Sequence, residues 1–220
     1  MNKIVLWSTS RWNMILVISV IFAAFILPIL PFNWQGIVFR ISYSFICVSA
    51  IFSLEKRTKP LITLFFTTFF LEWISSIFSM EVIYIISRSV NVLFFLVIVV
   101  LLIRQIALSK EVTATAIFGS VTGYLLLGMV YSIFVTIIVK NDPGSYSNLP
   151  TDLAREGRVD ASVPLYYSFV TLASLGYGDI CPLKPYTRSL ATLITVSGQF
   201  YIAIIVALLV GKFSSKSSSQ

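Results

Sequence analysis

The chain has 220 residues, of which 57% are hydrophobic and only 11% charged, with sixteen Lys and Arg against nine Asp and Glu. Soluble domains carry about 25% charged residues, so a membrane protein is expected, and the net charge of +7 is read by where the cations lie and not as a nucleic-acid signal. Two cysteines and no histidine exclude a disulfide framework and most metal or histidine-based chemistry.

The amino-terminal apolar run, Met14 to Leu30, is long for a secretory signal and has no A-x-A-like cleavage site, so it is expected to be a retained first span. Runs long enough to cross roughly 30 Å of hydrocarbon at about 20 residues each fall at 13–31, 37–54, 60–80, 82–103, 111–138 and 186–211. The expected fold is therefore an all-α membrane protein with six transmembrane helices. Short joints before Glu111 predict that the first four pack as a compact antiparallel bundle. Lys3, Arg11, Lys56, Arg57, Lys59, Arg104, Lys110, Lys212 and Lys216 all fall on one side if the amino end is cytoplasmic, whereas the linker 32–36 has no charge and Glu81 is acidic. The positive-inside rule then places both termini in the cytoplasm.

Three ionisable residues interrupt the early spans. Arg40, Glu72 and Arg88 lie four, eight and six residues from the outer ends of spans two, three and four, or roughly 6–12 Å deep at about 1.5 Å per residue. Charges at such depth are rare unless paired, so an Arg40–Glu72–Arg88 cluster that orders the bundle is expected, with a pared-down voltage sensor as the alternative. In the fifth span Gly119-x-x-x-Gly123 permits close helix approach, expected against span six.

The outer segment 141–163 opens with Asp142-Pro143-Gly144-Ser145, which is turn chemistry. It reads as a solvated turret, and its acids could in addition gather cations. Pro164 suits the first turn of a short helix over 164–173. Ser174-Leu175-Gly176-Tyr177-Gly178-Asp179 follows, a loop between two long apolar runs. Its two glycines allow φ of alternating sign, so that neighbouring carbonyls can share one side and replace the water of a cation. Non-helical backbone at membrane depth needs protein around it or a cavity to line.

This stretch resembles the pore-loop signature of potassium channels, T-V-G-Y-G-D, with Ser174 for Thr and Leu175 for Val. The resemblance spans 165–211 closely and the fifth span less so. It implies a re-entrant pore helix and a selectivity filter between helices five and six. K+ would be held by the carbonyls of Leu175, Gly176 and Tyr177 and by the carbonyl and hydroxyl of Ser174, with Gly178 completing the loop. One loop per chain against four per filter implies three further copies, a homotetramer. The carboxyl end of the pore helix, with its partial negative charge, would favour a cation in a central cavity. Tyr166 and Tyr167 take positions where such channels often have tryptophans, and their hydroxyls could reach Asp179 and Tyr177, plain packing being the alternative. Val170 stands where some members have a glutamate. Serine lacks the methyl that stiffens a threonine rotamer, which leaves the innermost site less ordered.

Pro182 follows the filter. Gly198 falls where a hinge is common, and close packing explains it equally; Gln199, Ile202 and Val206 would face the cavity, Gln199 meeting water or a partner helix. The division implied is 1–110, a four-helix domain resembling a voltage-sensor bundle without its arginine array; 111–212, the pore domain; and 213–220, a disordered tail. With Arg88 alone in span four, strong voltage gating is not expected, since each charge moved gives about 2.3 kcal/mol per 100 mV. The resulting expectation is a potassium-selective channel of the cell membrane that is not an enzyme. It has no cofactor beyond permeant K+, no nucleic-acid partner and no soluble regulatory domain, and its surroundings are membrane lipids. A weakly selective cation channel, or a non-conducting or transporter-like subunit, is the alternative. Cys181, just past the filter, is expected to be reachable from outside.

Overall fold

The computed structural model describes residues 3–54, 59–77, 81–109, 112–150, 154–155 and 158–217. Seven α-helices account for most of them: α1 (Lys3–Ile21), α2 (Phe32–Ser53), α3 (Lys59–Ile77), α4 (Glu81–Leu108), α5 (Ala114–Asn141), the short α6 (Ser162–Leu172) and α7 (Pro185–Ser217). An antiparallel pair of two-residue strands, β1 (Ala154–Arg155) and β2 (Arg158–Val159), lies between α5 and α6. This pair is a small departure from the all-helical expectation.

Among the described residues, five helical stretches are long and apolar enough to cross a membrane: Arg11–Ile29, Asn33–Ser53, Ile85–Leu108, Ala114–Asn141 and Pro185–Phe213. In α3 only Ile62–Leu71 counts as an apolar helix, which is short of that length. The chain is a multi-pass membrane protein. Five spans meet the criterion where six were expected, and the 19 residues of α3 would still extend roughly 28 Å at about 1.5 Å each.

The first span is not the uniform helix that its apolar run suggests. After Ile21 it widens into a π-turn over Phe22–Ile26 and then tightens into a 3-10 turn over Leu27–Ile29. Pro28 is the cause: it has no N–H for the carbonyl four residues back, and its ring crowds that carbonyl. Leu30, ahead of Pro31, is extended at ψ 150°, as a residue before proline prefers, and α2 starts from there. The distortion has a use. It packs the 27–29 turn against α6 and stacks Phe25 on Phe169 of α6, ring centroids 5.7 Å apart.

α1 packs on α2, α3 on α4, and both α1 and α4 lie along α5. One continuous apolar core runs from Leu16 and Ile46 through Phe94 and Ile98 to Leu126, Leu172 and Ile194. α1 and α4 thus join the first four helices to the fifth. Gly119 lies beside Leu102 and Ile106 of α4, whereas Gly123 lies under the Tyr201 hydroxyl of α7. The small-residue pair therefore serves two neighbours, where one was expected. Tyr201 donates to the Ser120 carbonyl at 2.8 Å.

Polar side chains inside the bundle bond across helices. Tyr43 donates to Asn91 Oδ1 at 2.6 Å, and both are buried. Asn13 Nδ2 donates to the carbonyl of Ser53, the last residue of α2, at 3.3 Å. The Arg88 guanidinium stands over the Phe39 ring, 5.6 Å from its centroid, which is cation–π geometry. The Glu72 side chain, and with it the expected Arg40–Glu72–Arg88 cluster, lies outside the described residues. At the far end, Lys212 Nζ donates to the carbonyls of Ile106 and Ala107 and to Ser109 Oγ. A cation on the last carbonyls of α4 is favourably placed against the helix dipole, and it ties the end of α7 to the end of α4.

Candidate functional site

α6 begins where Asp160 Oδ1 accepts from Ser162 N–H at 2.8 Å. An acid read in the sequence as a turret charge therefore satisfies one of the free donors at the helix start. At the other end Ala173 is the last residue of helical conformation. Ser174 N–H donates to the Thr171 carbonyl at 3.0 Å and Leu175 N–H to the Val170 carbonyl at 2.9 Å. These two bonds form a Schellman motif, in which the residue after the cap is left-handed and usually glycine. Here that residue is Ser174, at φ +59°.

The left-handed sign then recurs at Gly176 (φ +54°) and Gly178 (φ +78°), but not at Leu175 or Tyr177. This is the alternation that lets successive carbonyls share a side. A Cβ added at either glycine would meet nothing within 4 Å, so backbone conformation and not crowding calls for glycine at both. Residues 173–179 are all exposed in the single chain, with Leu175 57% and Tyr177 68% accessible.

Two sets of bonds fasten this exposed loop. At the carboxyl-terminal end of the loop the Tyr166 hydroxyl donates to Asp179 Oδ2 at 2.5 Å. That bond holds the Asp179 carboxyl below its usual range and pushes the Tyr166 hydroxyl up to about 12. Stabilisation by the carboxylate is present above the unfolded carboxyl value and is lost as pH falls through the lowered one. Stabilisation by the neutral hydroxyl is lost only as pH rises towards 12. Near neutral pH the pair is a carboxylate facing an intact phenol.

Asn148 Nδ2 donates to the Asp179 carbonyl at 2.9 Å, Ser147 N–H to the Cys181 carbonyl at 2.9 Å, and Leu183 N–H to the Ser145 carbonyl at 2.9 Å. The residues just after the loop are thus laced to 145–148, a stretch that the turret reading leaves in solvent. Asn148 is itself left-handed, at φ +55°. An Asn in this conformation is the one signal in the sequence that could have marked the turn. Cys181 is half-buried here, with Sγ against the Gly178 carbonyl at 3.3 Å.

Tyr167 does not join Tyr166 at the loop. It is buried edge-on to Tyr146, centroids 5.0 Å apart, and its hydroxyl bonds the Thr171 side chain. One residue of helix rotates a side chain by about 100°, enough to send the two tyrosines to different neighbours.

At the amino-terminal end of the loop α7 lies against the end of α6. Thr195 Oγ1 donates to the Thr171 carbonyl at 3.4 Å. Gly198 is buried so closely under the Leu172 carbonyl that an added Cβ would stand 2.2 Å from that oxygen. α7 continues as one helix through this position. Gln199 Nε2 donates to Ser174 Oγ at 2.8 Å. Ile202 and Val206, on the Gln199 face by helical spacing, are 44% and 51% exposed. From behind, Gly128 of α5 makes room for the Phe169 ring, and the Tyr131 hydroxyl bonds Ser197 Oγ at 2.7 Å; sequence reasoning singled out none of these.

Residues 124–215 match the family model described as "Ion channel". A curated protein described as two-pore potassium channel 5, from Arabidopsis thaliana, is 33% identical over 100 residues. Over these stretches the chain is similar to ion channels, a potassium channel among them. The shared stretch is 45% of this chain and 21% of that relative, so the chain spans about a fifth of the relative's length. No solved structure matches. The stretch matched by that model takes in α5 from residue 124, all of α6, the 174–179 loop and α7 as far as residue 215. Both matched descriptions are of transport proteins and not of enzymes.

Proposed function

We propose that the chain is one subunit of a homotetrameric, potassium-selective channel that passes K+ down its gradient. The observation that carries this reading is the alternation of φ at Ser174, Gly176 and Gly178 in a loop that is exposed from 173 to 179 in the single chain. The carbonyls of Ser174, Leu175, Gly176 and Tyr177, with the Ser174 hydroxyl, are the proposed ligands, and Gly178 supplies the last reversal of φ. Four copies are needed because one loop makes one wall of a pore. The exposed side chains of Leu175 and Tyr177 then find their packing on neighbouring subunits. Tyr166 and Asp179 brace the outer mouth. Gln199, Ile202 and Val206 line the inner cavity.

In this reading the chain is divided into 1–110 and 111–212, followed by the tail 213–220. It crosses the cell membrane six times, with α3 as the third span. The distribution of lysines and arginines supports cytoplasmic termini and a filter mouth that opens outside. Strong voltage gating is not proposed: Arg88 is the only basic residue within span four, and its guanidinium rests on Phe39.

Ser174 and Leu175 favour one second reading, a cation pore of weaker selectivity. The purified chain in planar bilayers, with KCl on one side and NaCl on the other, separates the two. A reversal potential close to the potassium limit is expected. A value near zero supports the weaker filter, and the absence of current in liposomes holding intact tetramers would contradict both.

A further inference from the structure

Ser174 is left under-determined by its own chemistry. It occupies a left-handed backbone position, and without a γ-methyl its χ1 is free among three staggered wells. A hydroxyl that turns among rotamers is a poor cation ligand, because only one setting aims a lone pair at the ion. The restraint comes from another helix. Gln199 Nε2 donates to Ser174 Oγ at 2.8 Å across 25 residues of sequence. Gln199 is itself well placed to hold still. Gly198 beside it is wedged under the Leu172 carbonyl, and Thr195, one turn earlier, reaches the Thr171 carbonyl. A hydroxyl oxygen has two lone pairs. With one occupied by the Gln199 amide, the direction of the other is set.

We propose that Gln199 is a positioning residue for the innermost ion site: its amide holds the Ser174 hydroxyl in one rotamer, as a γ-methyl group would. The inference rests on the channel reading above and adds to it a cause of selectivity that lies outside the filter stretch. α7 thereby acts on the filter through a side chain as well as through packing, so a shift of α7 loosens the inner site.

The test is a cycle of four forms of the full chain in planar bilayers: wild type, Gln199→Leu, Ser174→Thr, and the two combined. Ba2+ applied from the cytoplasmic side is the probe, since it is close to K+ in size with twice the charge and lingers at oxygen sites. Gln199→Leu is expected to weaken Ba2+ block by about fivefold or more, the equivalent of one net hydrogen bond, and to move the K+/Na+ reversal potential towards zero. Ser174→Thr is expected to restore both to within about twofold in the combined form, because the methyl stiffens χ1 without Gln199. A role in folding alone would not be repaired by a methyl group at residue 174. If Gln199→Leu fails to assemble, Gln199→Asn, one methylene short of Ser174, takes its place in the cycle. Unchanged block and reversal potential, or a loss that Ser174→Thr leaves unrepaired, would overturn the inference while the conducting wild type upholds the channel reading. A silent wild type would overturn both.

Discussion

Gly198→Ala is expected to destabilise the assembled protein and to reduce or abolish its current. The added Cβ would stand 2.2 Å from the Leu172 carbonyl oxygen and 3.0 Å from Leu172 Cδ1. The first neighbour is backbone, at the end of a helix whose last turn is closed by the Schellman pair of bonds, so it cannot swing aside as a flexible side chain would. Overpacking of this kind costs about 1–3 kcal/mol per site, and four symmetric copies bring that to roughly 4–12 kcal/mol per tetramer. Melting followed by size-exclusion chromatography in detergent, together with bilayer recording, checks both effects. A simple hinge at Gly198 predicts a different result, in which opening falls while the melting temperature holds. Unchanged melting and current together would show that α7 does not press on α6 at this point.

Gly176→Ala acts through another cause and should leave another signature. Nothing lies within 4 Å of the added Cβ in the subunit, so the penalty is the left-handed φ of +54°. An alanine there costs about 1–2 kcal/mol, or roughly 4–8 kcal/mol over four copies. The strain is relieved locally when the peptide unit turns out of the left-handed region, and that turn removes a carbonyl from its ring. Tetramers should therefore still assemble, with K+ conductance reduced by about tenfold or more or selectivity against Na+ lost. Assembly is read by cross-linking, and selectivity by reversal potential. Full selectivity in an assembled Gly176→Ala tetramer would mean that the Gly176 carbonyl is not a ligand.

The two glycines announce the alternation at 176 and 178, because glycine adopts positive φ without strain. Ser174 gives no such warning. It is left-handed only because α6 ends in a Schellman motif, and serine is an uncommon choice there. The long apolar runs mark the helices well, since hydropathy over some 20 residues is a strong signal. α3 falls short of the criterion for a full span, and Pro28 changes the form of the first span beyond what its hydropathy shows.

What composition cannot show is which side chains meet. Tyr166 and Tyr167 are the same residue, and the rotation of α6 decides which of them faces Asp179. Gln199 and Ser174 are 25 residues apart, and their bond depends on the close approach of α7 to α6 that Gly198 permits. The Asp142 turn reads as surface, yet Ser145 and Tyr146 beyond it are buried and help to hold the outer end of the loop. Here short-range turn chemistry is legible and the tertiary lacing is not.

A density map of the purified protein in potassium chloride tests the central claim most directly. Four copies about a fourfold axis are expected, with a column of separated axial peaks ringed by the carbonyls of Leu175, Gly176 and Tyr177. Another number of copies, or an axis with those carbonyls turned away from it, would contradict the account.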